Sequence, residues 1–152
     1  KDLLDLIPAS LLIYGSEVVR AELRDVSKKE KVEDKSKRML LLNLYDTLTQ
    51  EVDRTYRTTS FIELLALQYF DEYSKLKGKK GYEELRKDFV IIATASIHGL
   101  DVVVSSDTKT MLSGEAKEAY ENVNDKNQLR TPQLLGYEEL KGLLRRLKDE
   151  RA

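Results

Sequence analysis

Residues 88–107 constrain the fold more than any other stretch: Asp-Phe-Val-Ile-Ile-Ala-Thr-Ala-Ser-Ile-His-Gly-Leu-Asp-Val-Val-Val-Ser-Ser-Asp. The spacing predicts a helix over Tyr82–Ile97. From Phe89 onward that helix is apolar almost all round, so it must be covered on most sides. His98-Gly99 supplies its stop. Asp101 to Ser105 then reads as a β-branched strand. A helix buried all round and followed at once by such a strand belongs in a sheet covered by helices.

The rest of the chain repeats the alternation. Ser10–Tyr14 is a short apolar run read as a buried strand, and Ser16 can cap a helix running to about Ser27. Lys28–Arg38 is a dense mixed-charge stretch read as solvated surface. Met39 to about Asp53 looks helical, with Leu40, Leu41, Leu44 and Leu48 on one stripe. Thr58-Thr-Ser60 is expected to cap a helix over Phe61–Lys75, with Glu63 at the capping-box spacing from Ser60. Lys77-Gly-Lys-Lys-Gly81 is a loop, and a helix is expected from about Ser113 to Asn122. Arg130–Leu135 reads as an edge strand or loop, because Pro132 cannot donate to a ladder. The last helix is expected over Tyr137 to about Asp149, with Leu140, Leu143, Leu144 and Leu147 on one face. The fold class is therefore α/β with a mainly parallel sheet, and 152 residues make one domain.

Composition removes several function classes. With no cysteine there is no disulfide, thiolate nucleophile or zinc–thiolate site, and one histidine excludes a His-rich metal centre. The net charge of -1 does not mark a general nucleic-acid coat, though it leaves room for a local basic face. No apolar run approaches the roughly 18 residues of a membrane span, and no signal peptide is visible, so a cytoplasmic protein is expected. Lys77-Gly-Lys-Lys-Gly81 lacks P-loop spacing, and there is neither a Gly-x-Ser-x-Gly elbow nor a dinucleotide fingerprint.

Three acids stand where apolar residues would be ordinary. Glu22 has Val18, Val19 and Val26 one turn away on its helix. Asp88 has Leu85, Ile91 and Ile92 around it, at the mouth of the buried helix. Asp107 follows the Val102–Val104 strand, where ligand sites of open α/β sheets lie. Each has a plainer structural reading: a surface ion pair for Glu22, a first-turn acid for Asp88, a helix cap for Asp107. Crowded together they would repel, and a divalent cation is the usual remedy. Ser105 could hydrogen-bond a neighbouring carboxylate, and His98 reads most simply as a helix-end residue.

These residues carry a resemblance. Ser16-Glu-Val-Val-Arg-Ala-Glu22-Leu resembles the second conserved block of PIN-domain (VapC-like) nucleases. Asp88-Phe-Val-Ile-Ile-Ala-Thr-Ala-Ser-Ile-His-Gly-Leu is similar to their third block, and Asp101-Val-Val-Val-Ser-Ser-Asp107 to their fourth. The match spans about residues 10–111, interrupted by a helical insertion at about 28–75. The resemblance implies a three-layer α/β/α domain and a metal-dependent endoribonuclease. Asp88, Asp107 and Glu22 would ligate Mg²⁺ or Mn²⁺, with Ser105 positioning a carboxylate. It implies an RNA substrate and leaves a homodimer, an antitoxin or another protein partner open. The family has a fourth acid on its first strand, and nothing here matches it. Asp2–Ile7 looks like the end of a helix stopped by Pro8, so that strand is expected upstream of Lys1. The alternative is a catalytically degenerate PIN-like module that binds RNA or protein.

Overall fold

The computed structural model describes residues 15–16, 55–105 and 111–151. Glu22, Asp107, the apolar run at 10–14, the leucine stripe at 40–48 and the expected upstream junction at Lys1 all lie outside them. The described elements run β1 (Gly15–Ser16), β2 (Thr55–Tyr56), α1 (Ser60–Lys75), α2 (Tyr82–Ile97), β3 (Val102–Val104), α3 (Gly114–Lys126), β4 (Gln133–Leu135) and α4 (Tyr137–Arg151).

The start of α1 differs by one residue from the sequence expectation, with a consequence. Thr59, not Ser60, is the N-cap, and its hydroxyl accepts from the Ile62 N–H at 3.3 Å. Ile62 thus takes the position where a capping box needs a Glu. Glu63 is released from the cap and pairs with Arg86 of α2 instead. Helix α3 begins close to its expected start, with Ser113 as its cap, accepting from the Ala116 N–H.

Three helices form the main core. Helix α1 packs on both α2 and α3. It buries Ile62, Leu65, Ala66, Tyr69 and Tyr73, at the 3–4-residue spacing of one helix face. Helix α2 buries Leu85, Phe89, Val90, Ile92 and the run Ala93–Ser96, which matches its nearly all-round apolar sequence. Helix α3 contributes Ala116, Ala119, Tyr120 and Val123. At the centre Tyr69, Phe89 and Tyr120 meet edge to face, with centroids 5.1–6.3 Å apart. That geometry sets ring edges against the electron-rich faces. Truncating Phe89 here would cost about 3–5 kcal/mol.

The strands pair in parallel, β1 with β2 and β3 with β4. Val102, Val103 and Val104 stand against Gln133, Leu134 and Leu135. Pro132 comes one residue before the first pair, so its missing N–H removes nothing from the ladder. The Gln133 N–H donates to Asp101 O at 2.8 Å, and the Ser105 N–H to Leu135 O at 3.0 Å. The chain is therefore a mixed α/β protein with parallel strand pairing, as its sequence indicates. Within the stretch read as a helical insertion, Thr55–Tyr56 forms β2 and α1 contributes buried residues to the core. No helix among the described residues is long and apolar enough to cross a membrane.

Candidate functional site

Asp88 sits in the second turn of α2, half-buried, beside the fully buried Leu85 and Ile92. The helix around it is fixed by charge on its exposed side. Arg86 is held by Glu63 of α1, and Glu84 lies 3.5 Å from Lys80. Ser105 follows β3, is half-buried, and has its backbone anchored on Leu135. Neither Asp88 nor Ser105 is without a partner.

The turn between α2 and β3 determines how these two residues relate. Helix α2 ends in a Schellman motif: the Leu100 N–H donates to Ala95 O at 2.9 Å and the Gly99 N–H to Ser96 O at 3.3 Å. Gly99 takes the left-handed conformation this requires, at φ 64°. Four residues, His98 to Asp101, then separate α2 from β3, and the two elements pack together. A connection that short makes the strand run back along the helix. Asp88 stands nine positions before Ile97, about 13 Å up the helix axis at 1.5 Å per residue. Ser105 stands three positions after Val102, about 10 Å up the strand at 3.3 Å per residue. Helix and strand arithmetic thus bring Asp88 and Ser105 to about the same height, at the carboxyl end of β3.

Glu22 and Asp107 lie outside the described residues, so of the four expected site residues two have a described position. Among the described residues no three His, Asp or Glu side chains form a group that could hold a metal ion. The donor type at Asp88 fits a hard cation: a half-buried carboxylate oxygen suits Mg²⁺ or Mn²⁺.

His98 does more than end a helix. Its ring stacks on Tyr56 of β2, with centroids 3.6 Å apart and planes 11° from parallel. Burial lowers its pKa below the ordinary 6.5. Its position between α2 and β3, at the amino end of the strand, separates it from Ser105.

Sequence reasoning missed a groove between β4 and α4. About 470 Å³ in volume, it is lined by Gln133, Leu135, Glu139, Gly142, Leu143, Arg145 and Arg146. No motif announces it, because its walls come from a strand and from one side of a helix that the apolar pattern alone describes as core-facing. Comparison with models of protein families, with curated proteins and with solved structures yields no match to this chain.

Proposed function

We propose that this chain is a metal-dependent endoribonuclease of the PIN type, built on a three-layer α/β/α domain, that hydrolyses RNA phosphodiester bonds. The observation that carries the reading is the α2–turn–β3 unit. It carries a half-buried acid, Asp88, on the helix and Ser105 just past the carboxyl end of the strand, two residues before Asp107, and helix and strand rises of about 13 and 10 Å are compatible with the two lying at similar heights. Asp88, Asp107 and Glu22 are the proposed ligands of Mg²⁺ or Mn²⁺, and the Ser105 hydroxyl would orient a carboxylate by donating to it. When bound, the metal would supply a more acidic water and stabilise negative charge on the phosphodiester oxygens. The buried residues Leu85, Phe89 and Ile92 flank Asp88 along α2 and would support the carboxylate on that side. With no cysteine and with the one histidine at the other end of β3, the chain offers carboxylates rather than a nucleophile for this chemistry.

The test is Asp88→Asn, assayed on single-stranded RNA with Mn²⁺. Cleavage should fall by at least about 100-fold, since even residues that only support a ligand cost 10–100-fold. The melting temperature should stay close to that of the parent, because the isosteric amide relieves like-charge crowding. Undiminished cleavage in the variant would remove Asp88 from the site. RNA binding without any cleavage by the parent protein would favour the degenerate binding module.

A further inference from the structure

We infer that the groove between β4 and α4 is a binding site for a nucleoside phosphate unit, either free or as one residue of a single-stranded RNA. The inference is independent of the acidic site, since none of its residues belongs to that constellation.

Three observations carry it. The first is size and shape. At about 470 Å³ the groove falls within the roughly 300–1,000 Å³ of small-ligand sites. Leu135 and Leu143 line it with apolar surface, and Gly142 adds backbone with no side chain above it. That combination accepts the flat face of a base.

The second is charge. Arg145 and Arg146 are both exposed and both line the groove. The groove also carries an acid, Glu139, at the start of α4. Its Oε1 accepts from the Gly136 N–H at 3.2 Å. Two guanidinium groups on one groove are suited to clamp a phosphate. Gln133, exposed on the strand side, offers an amide donor and acceptor side by side, the pattern that pairs with a base edge.

The third is Gly142 itself. It lies in the interior of a 15-residue helix, where glycine is the least favoured residue after proline. A Cβ there would meet no atom within 4 Å, so nothing inside the chain requires the absence of a side chain. What that absence does is keep the groove open. An acidic peptide could meet the arginines, but it has no flat ring for the floor and makes no use of the missing side chain.

The experiment is run in EDTA, so that no metal-dependent cleavage contributes. Adenosine monophosphate is titrated by calorimetry, and a fluorescein-labelled eight-nucleotide single-stranded RNA by anisotropy. Adenosine and inorganic phosphate serve as the two half-ligands. The parent should bind the monophosphate more tightly than either half. The double variant Arg145→Ala, Arg146→Ala should weaken binding by at least about tenfold, the scale of losing charge-assisted hydrogen bonds. Gly142→Leu should abolish binding while its melting temperature holds or rises, because it fills the groove and improves the helix. Tighter, salt-dependent binding of the RNA identifies a strand as the source, and equal binding identifies a free nucleotide. No saturable binding of either probe overturns the proposal, as does binding untouched by both sets of substitutions. The ribonuclease reading is tested by cleavage with Mn²⁺ and this site by binding in EDTA, so the failure of one is distinguishable from the failure of the other.

Discussion

Gln128 carries a backbone conformation usually left to glycine. Helices α1, α2 and α3 all end in the same Schellman geometry, in which the first residue past the cap is left-handed. At the end of α2 that residue is Gly99, with φ 64°; at the ends of α1 and α3 it is Lys77, φ 67°, and Gln128, φ 57°. A β-carbon there costs roughly 1–2 kcal/mol that glycine avoids. Gln128→Gly should therefore stabilise the protein by about 0.5–1 kcal/mol, the gain being trimmed by the freer unfolded chain. Urea denaturation measures it, and an unchanged or lower midpoint would refute the assignment of strain. In the loop after α1 the glycine serves another need. Gly78 comes one residue after the left-handed position, and a Cβ on it would lie 2.2 Å from the Tyr73 ring. Glycine in the sequence thus flagged the loop, but not which residue carried the unusual φ.

At the level of elements, one polar network holds the three core helices in register. The Tyr69 hydroxyl of α1 lies 2.6 Å from Asn124 Oδ1 of α3 and 3.1 Å from Ser96 Oγ of α2. It donates its one proton to the nearer amide oxygen. Asn124 Nδ2 donates in turn to Ser96 Oγ and Thr131 Oγ1, both at 3.0 Å, and Ser96 donates to the Ile92 carbonyl. Burial pushes the Tyr69 phenol up to about 12, offset in part by its bonds to Ser96 and Asn124, so it remains a donor at any physiological pH. Tyr69→Phe strands the buried amide oxygen and should cost about 1–3 kcal/mol in unfolding free energy. A loss much below that range would mean water replaces the hydroxyl. The same network explains why α3 outruns its expected end near Asn122 and continues to Lys126. Asn-Val-Asn-Asp is weak helical sequence, but Asn124 is fully buried and bonded, and tertiary contact overrides its propensity.

Across the whole molecule, the stack of His98 on Tyr56 joins the strand before α1 to the turn after α2. Burial lowers the pKa of His98, so the folded state resists protonating it. Near and below the ordinary value of 6.5 the unfolded chain binds more protons than the folded one, and stability rises with pH there. The contribution is present above 6.5 and is lost as the pH falls through the lowered folded value. A proton NMR titration should place the His98 midpoint below 6.5. Tyr56→Ala should return it toward that value by exposing the ring. A midpoint at or above it in the parent would contradict the effect of burial.

The sequence by itself determined the elements whose patterns are local and strong. Phe89–Ile97 is apolar on nearly every side, and α2 is buried on nearly every side. Three consecutive valines and a His-Gly stop set the helix–turn–strand unit that carries Asp88 and Ser105. Parallel pairing also followed from the alternation of short apolar runs with helices. Tertiary structure decided what two-body contacts decide. It chose Thr59 over Ser60 as the cap because Glu63 gains Arg86 as a partner on another helix. It made a strand of Thr55–Tyr56, too short for any periodicity to announce, by pairing it with Gly15–Ser16. It also opened the groove beside α4, where Arg145 and Arg146 read in sequence as ordinary surface charge. A one-dimensional pattern records which side of an element is apolar. It does not record which charges are brought to one groove once the elements have met.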